Sequence, residues 1–324
     1  MNEIYYPSIR ERLTDRREML QDAVKTLPGN PNLNNLLSEV DAALKEMDTG
    51  TYGVCTVCHE PIEKEQLLSD PLLKVCLSHL SGRQQQALED DLEYASKIQR
   101  ALLPEKEIKT SEWEFAYHYR PAGIVSGDFC DLIPSGNGSY IFIMGDVSGK
   151  GVSASIMMSN LHALIHSLQS FELPINEILK KANRLFCKIT LSNNYATLVV
   201  GRVFKDGTVE VCVAGHNPPL VVSNGKVTPL HATGIPVGMF CDAEYGVEKI
   251  KLNKNDFLFL YTDGLTEASV NETEYGADNL KNHLAELNGF SSTDTISNVL
   301  LKQQAYLGTA KPEDDLTVAA IRKI

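Results

Sequence analysis

The sequence predicts an α+β chain. A layered domain of mostly antiparallel strands carries its helices outside the sheets, and a helical hairpin, a short cysteine segment and a helical linker precede it. Three observations carry this expectation. From about Glu105 to the end, short β-rich runs alternate with turns: SYIFIM, ATLVVGRVF, VEVCVA, LVVS, DFLFLYT and LTVAAI. Helical patterns interrupt them in only four places, at about Ser153–Ser170, Ile175–Ile189, Asp278–Asn288 and Thr293–Tyr306. Helices that bracket strands in blocks, rather than alternating with them, belong to α+β layers. Before Glu105 the texture is helical, apart from the cysteine segment.

Taken in order, residues 1–50 read as a helical hairpin. Its first helix runs from about Ser8 to Thr26, and Leu27-Pro28-Gly29-Asn30-Pro31 is a strong turn signal. The second runs from about Leu33 to Met47, with Leu33, Leu36, Leu37, Val40 and Leu44 at helical spacing. Residues 51–80 hold the cysteine segment, and 81–104 form a linker whose 83–103 stretch has no Gly or Pro and stops at Pro104. Residues 105–324 form the layered domain.

Composition excludes several classes. The 324 residues carry 30 Lys+Arg against 42 Asp+Glu, a formal net charge of −12. Such an acidic chain gains nothing from counterion release, so neither nucleic acid nor an anionic membrane is an expected partner. No apolar run approaches the ~20 residues that span a bilayer. The start, MNEIYYPSIRERLTDRREML, has no apolar core and no cleavage-like site, so the expected location is the cytoplasm. Seven cysteines, an odd number, argue against a disulfide framework. Cys130, Cys187, Cys212 and Cys241 are scattered and read as small buried hydrophobes.

Cys55, Cys58, Cys76 and His79 form two pairs, each with two residues between the ligands. That gap lets both side chains of a knuckle reach one tetrahedral ion, the geometry zinc takes with sulfur and imidazole. His59 competes as fourth ligand, but its place beside Cys58 makes simultaneous closure awkward, so His79 is preferred. Together with Gly50-Thr51-Tyr52-Gly53, Ile62 and Pro71, the run resembles the DksA/TraR-type zinc finger. Two departures stand out: His79 replaces a Cys, and Gln66 stands where that family usually has Arg. The resemblance implies RNA polymerase as a partner. That role uses a long coiled coil with an acidic tip, whereas the hairpin here is short and its tip is Pro28-Gly29-Asn30-Pro31. The segment therefore reads as a structural or protein-docking module.

Four acidic segments punctuate the layered domain: Ser126-Gly127-Asp128-Phe129-Cys130-Asp131, Met144 to Gly151 (MGDVSGKG), Tyr261 to Ala268 (YTDGLTEA) and Glu313-Asp314-Asp315-Leu316-Thr317-Val318. Asp146 and Asp263 each follow an apolar strand and adjoin glycine, and Asp314 precedes the last strand. Any one Asp-Gly is an ordinary turn signal. Four such segments at strand ends can converge at one sheet edge, where clustered carboxylates need cations between them. Hard oxygen ligands suit Mg²⁺ or Mn²⁺ rather than zinc. Gly145 to Lys150 has the wrong spacing for a phosphate-binding loop, and Ser148 is not in a hydrolase elbow.

The ordered set SGDFCD, MGDVSGKG, AGHNPPLV, TGIPVGMF, FLYTDGLTEA and DDLTVAAI, entered by SKIQRALLP, resembles the SpoIIE/RsbU-type branch of the metal-dependent protein phosphatase 2C (PPM) superfamily. The resemblance implies an α-β-β-α sandwich of two antiparallel sheets with a two-metal site at one end. It implies that Asp146 bridges both Mn²⁺ or Mg²⁺ ions, that the Val147 carbonyl binds one, and that Asp263 and Asp314 complete the shells. Asp128 would bind a metal directly or through water, with Asp131 beside it, and Asp315 would support the site from behind. The implied activity is serine/threonine phosphoprotein hydrolysis, with phosphorylated anti-anti-sigma (STAS) proteins as substrates. Arg120 is a substitute for the family's phosphate-binding Arg or a structural salt bridge; His216 reads as structural and Lys150 as a solvated loop residue. The rival expectation is a zinc-finger adaptor of RNA polymerase with a degenerate phosphatase domain, against which the intact Asp146, Asp263 and Asp314 speak. Finally, Leu88, Leu92, Ala95 and Leu102 step along the linker like a coiled-coil seam, with Gln99 in the remaining seam position. A homodimer through this helix is the expected assembly.

Overall fold

The structure, a computed structural model, describes residues 6–26, 30–79, 82–171, 173–190, 194–270, 273–308 and 314–324. The predicted turn at 27–29 lies outside them. The chain divides into two compact units, Met1–Asp91 and Leu92–Ile324.

In the first unit, α1 (Tyr6–Thr26) and α2 (Pro31–Thr49) form the expected hairpin. Asn30 caps α2: its side chain accepts the backbone N–H of Asn32 and Leu33, and Pro31 takes the first helical position, where no N–H is needed. The cysteine segment carries a short α-helix, α3 (Lys64–Ser69), and a 3-10 turn at Leu77–His79. The hairpin and this segment share one core, in which Ile9, Leu13, Val40 and Leu44 are buried together with Tyr52, Cys55, Ile62 and Leu67. The hairpin and residues 51–79 thus belong to one packed unit. A segment of thirty residues has too little apolar surface for a core of its own and borrows the hairpin's.

Helix α4 (Gly82–Ala101) contains the boundary between the units, so the linker is not a separate piece. Its seam reading also changes. Gln99 is only 4% exposed. It donates to the Ser126 carbonyl at 2.6 Å and accepts from the Ser126 N–H and the Tyr119 hydroxyl, both at 3.0 Å. Leu102 packs against the second unit's own core. The face that carries these residues binds its own domain, and the exposed apolar residues of α4 are Leu88, Tyr94 and Ile98.

The second unit holds a six-stranded sheet, a five-stranded sheet and a small two-stranded ribbon. The strands are β1 (Glu107–Lys109), β2 (Trp113–Arg120), β3 (Phe129–Pro134), β4 (Tyr140–Val147), β5 (Ala196–Val203), β6 (Thr208–Ala214), β7 (Leu220–Ser223), β8 (Lys226–Pro229), β9 (Glu248–Lys251), β10 (Phe257–Tyr261), β11 (Ser269–Val270), β12 (Thr273–Glu274) and β13 (Leu316–Lys323). The larger sheet runs β1-β2-β13-β10-β7-β8 and the other β3-β4-β5-β6-β9. The helices are α5 (Gly151–Gln169), α6 (Ile175–Ile189), α7 (Asp263–Thr266), α8 (Ala277–Glu286) and α9 (Ser292–Leu307).

Strand alternation builds the layers. Cys130, Leu132, Phe142, Met144, Val199 and Val211 of one sheet meet Phe115, Leu258, Leu260, Ala319 and Ile321 of the other. The opposite faces turn outward: Phe129, Ile133, Ile141 and Ile143 pack under α5 and α6, while Phe257, Phe259, Val318 and Ala320 pack under α8 and α9. Strands β2 and β3 were absent from the sequence-predicted runs. Charged and polar residues interrupt WEFAYHYR and FCDLIP, yet the first half of β2 and all but the last residue of β3 are buried.

Candidate metal centres and active site

The acidic residues come from both sheets. Phe129 pairs with Gly145, so Asp128 and Asp146 stand at neighbouring strand ends of the five-stranded sheet. In the other sheet Tyr261 pairs with Val318, which brings Asp263, at the start of α7, toward Asp314 and Asp315 at the start of β13. Each carboxylate sits just past a rigid strand.

Their electrostatics record the crowding. Asp146 is pushed up to about 7, first by burial and then by the charges of Asp263, Asp314, Asp315 and Glu267. Asp263 is also raised, by burial and then by Asp314, with the Lys150 ammonium pulling the other way. Lys150, two-thirds exposed, pairs with Asp314 at 3.2 Å. Asp128, 1% exposed, is raised well above the carboxylate range by burial and by Asp146. Its Oδ2 accepts from the hydroxyls of Thr262 at 2.8 Å and Thr317 at 2.7 Å. Two hydroxyl donors on one oxygen keep the buried carboxyl oriented.

Close backbone approach completes this end of the sheets. A Cβ on Gly127 would lie 2.6 Å from the Val147 carbonyl oxygen and 3.4 Å from Asp146 Oδ1. One on Gly264 would lie 2.0 Å from the Asp315 carbonyl oxygen. Only glycine fits either place. Asp315 holds the loop before β3: its two oxygens accept the N–H of Ala122 at 2.7 Å and of Gly127 at 3.1 Å.

The expectation that Asp131 joins this group is corrected. Asp128 and Asp131 are three positions apart, so alternation turns them to opposite faces. Asp131 pairs with Ile143, three residues before Asp146 and about 10 Å along the strand. Its carboxylate is taken by His162 and His166 of α5.

His216 is buried, and its Nδ1 lies 2.7 Å from the Thr197 hydroxyl, on the residue paired with Asp146. Burial pushes it down to about 4, so it is neutral at pH 7. Arg120 ends β2 beside Leu316. Its Nε and one terminal nitrogen are buried without a hydrogen-bond partner among the described residues, which is not the pattern of a structural salt bridge. Sequence reasoning missed Thr262, Thr317, Gln99 and Glu267. The two threonines follow directly from their places inside YTDG and DDLTV, but the sequence alone does not show that they share one carboxylate.

In the first unit, the ligand atoms of Cys55, Cys58, Cys76 and His79 all lie within 4.8 Å of one another. Cys58 Sγ is 3.8 Å from Cys76 Sγ, and His79 Nδ1 is 3.1 Å from Cys76 Sγ and 3.9 Å from Cys55 Sγ. His59 is exposed and outside the cluster. Burial raises the Cys55 thiol, but N–H groups of Cys58, Cys76 and Val57 outweigh it and lower the pKa to about 6, favouring the thiolate. Among the described residues, this cluster and Asp131/His162/His166 are the two that bring three or more donor atoms so close. The acidic group is looser.

Comparison with known proteins agrees with the fold. The chain is similar to protein IcfG of Synechocystis sp., 25% identical over 262 residues, covering 71% of this chain and 41% of IcfG. It is similar to the phosphoserine phosphatase RsbU of Bacillus subtilis, 26% identical over 245 residues, covering 74% of this chain and 72% of RsbU. The SiaA-PP2C domain of Pseudomonas aeruginosa superposes with a TM-score of 0.64 at 20% identity, covering 75% of this chain and 99% of that domain. The sequence model of the family described as Stage II sporulation protein E (SpoIIE) matches residues 136–323, which take in Asp146, Asp263 and Asp314. That match runs over more than half of the chain, from the turn before β4 to the last strand, and the chain belongs to the SpoIIE family.

Proposed function

We propose that the chain is a metal-dependent serine/threonine phosphoprotein phosphatase, a phosphoric monoester hydrolase of bacterial signalling. The observation that carries the reading is the mutual crowding of Asp146, Asp263 and Asp314 at the meeting ends of two sheets, with Asp146 raised to about 7. Carboxylates this close are destabilised by their own charge unless cations lie among them. The donor set is all oxygen, which fits Mg²⁺ or Mn²⁺. Asp146, Asp263, Asp314 and the Val147 carbonyl would hold two such ions, with Asp128 behind them. Ions held there would neutralise the ester's charge and lower the pKa of water at the site.

The chain's own residues have separate tasks. Asp146 would hold an ion as the carboxylate, in competition with the proton, which burial and neighbouring charge favour by raising its pKa to about 7. Thr262 and Thr317 hold the Asp128 carboxylate in one orientation. Asp315 and Gln99 hold the loop before Asp128 from two sides. Arg120, with two buried guanidinium nitrogens free of partners, supplies the fork that a phosphate dianion needs. Lys150 pairs with Asp314, so an ion held by that carboxylate would compete with the Lys150 ammonium for it.

Cys55, Cys58, Cys76 and His79 form a structural zinc site. Three sulfurs and one imidazole are the donors of a closed tetrahedral centre, and the low Cys55 pKa favours the ligating form. Zinc there stiffens a segment that shares its core with the hairpin. Self-association through α4 would use the exposed Tyr94 and Ile98 instead of the Gln99 face.

The substrate class is a phosphorylated STAS-type regulator. Incubation of the Mn²⁺-loaded chain with a phosphoserine STAS protein and with a phosphotyrosine peptide tests it. Release of phosphate from the first at least a hundredfold faster supports the assignment. Equal rates contradict it.

A further inference from the structure

Asp131, His162 and His166 lie apart from the acidic group and have no task in the phosphatase reading. Asp131 stands on the helix-facing side of β3, between Phe129 and Ile133. His162 and His166 are one turn apart on α5, so their side chains share a face. Both imidazoles point Nε2 at the same carboxylate oxygen, Asp131 Oδ2, at 2.9 Å and 2.5 Å. Their ring centroids are 4.3 Å apart with planes inclined by 35°. The other carboxylate oxygen accepts the Leu132 N–H at 2.7 Å, which fixes the group's orientation. Phe129 meets the His162 ring edge to face at 6.1 Å.

We propose that these three side chains form a second, independent binding site for a divalent transition metal, with Zn²⁺ the first candidate and Fe²⁺ the second. Two imidazoles and one carboxylate are the donors those ions take in three-ligand sites with open positions, and they are not a Mg²⁺ or Ca²⁺ set. Three donor atoms around one ion at 2.0–2.2 Å stand about 3 Å apart; here Asp131 Oδ2 lies 2.9 Å and 2.5 Å from the two nitrogens, and all three atoms lie within 4.8 Å of one another. Access is one-sided. The Asp131 and His162 side chains are each 8% exposed and the His166 side chain 40%, so an ion enters past His166. The alternative is a plain hydrogen-bonded triad, in which both rings carry their proton on Nε2. That arrangement places two N–H donors on one oxygen, and an ion replaces both protons at once.

The site ties together two elements that lead to the acidic group. β3 begins directly after Asp128, and α5 begins directly after Lys150. An ion held by Asp131 and the two histidines pins that strand to that helix. It is therefore a structural clamp, with a solvent-facing position left open.

The test uses the full chain stripped of metal. Zn²⁺ is titrated in while the histidine side-chain ¹H–¹⁵N signals are followed. His162→Asn and His166→Gln assign the signals, and bound zinc is counted by elemental analysis. The expected result is that the Nε2 signals of His162 and His166 move together before two equivalents are added. His166→Gln, at a half-exposed position, should hold one zinc fewer per chain, or bind that zinc at least tenfold more weakly, with its circular dichroism unchanged. Asp131→Asn should act in the same direction while keeping the side chain's shape. Unmoved His162 and His166 signals at two equivalents, or identical zinc content in wild type and His166→Gln, would overturn the proposal.

Discussion

At the scale of single residues, the decisive quantity is the proton on Asp146. Its pKa in the folded, metal-free chain is about 7, while an unfolded carboxylate titrates near 3.9. The folded state therefore binds more protons between those values. This group's contribution to metal-free stability is greatest below about pH 4 and is lost as pH rises through about 7. Cations compete with that proton, so loading improves over the same range. Mn²⁺ affinity should be about tenfold weaker at pH 6 than at pH 8, and the Mn²⁺-induced rise in melting temperature correspondingly smaller. Calorimetric titration at the two pH values checks this; equal affinities would show that Asp146 carries no displaceable proton. Asp146 was legible in the sequence, as were its neighbours Asp263 and Asp314, because each stands beside glycine or at the edge of an apolar run. Asp131 was misread for a physical reason. Within SGDFCD both aspartates look alike, but three steps along a strand reverse the side-chain direction. The signal that could have corrected the reading was the His162/His166 spacing on the following helix.

At the scale of elements, α4 gives the clearest contrast between pattern and packing. A step of four and three along a helix is the same for a coiled-coil seam and for a face laid on the helix's own domain. The hydrogen bonds of Gln99 to Ser126 and Tyr119 decide for the second. The two readings make opposite predictions for Gln99→Leu. In a seam, leucine would strengthen association. In this structure it strips partners from buried groups of Ser126 and should destabilise the chain by about 1–3 kcal/mol in urea denaturation. An unchanged or raised midpoint would restore the seam. The cysteine segment makes the second prediction at this scale. If zinc holds it, a chelator should expose 51–79 to protease well before 105–324 is cut. Equal digestion with and without chelator would show that the hairpin core alone supports the segment. The ligand spacing was visible in the sequence. The shared core was not, because it gathers residues some fifty positions apart in sequence, such as Ile9 and Ile62, into one cluster.

For the whole molecule, the alternating runs led to the expectation of antiparallel strands in layers, and the resemblance implied two sheets between helices; the strand order comes from the structure. Strands β2 and β3 escaped notice because function and packing share their residues. β2 carries Glu114, His118 and Arg120, and β3 carries Asp131, so neither reads as a clean apolar strand. No helix among the described residues is long and apolar enough to cross a membrane. The layered fold brings four acidic loops together, where they are proposed to run metal-dependent phosphate ester hydrolysis. The most direct measurement is the Mn²⁺-dependent rate on an aryl phosphate for the wild-type chain, Asp146→Asn and Asp263→Asn, each first shown to be folded. The expected result is turnover in wild type that disappears with chelator, and a loss of at least a thousandfold, about 4 kcal/mol, in both variants. A folded Asp146→Asn chain that keeps a near-wild-type rate would contradict it.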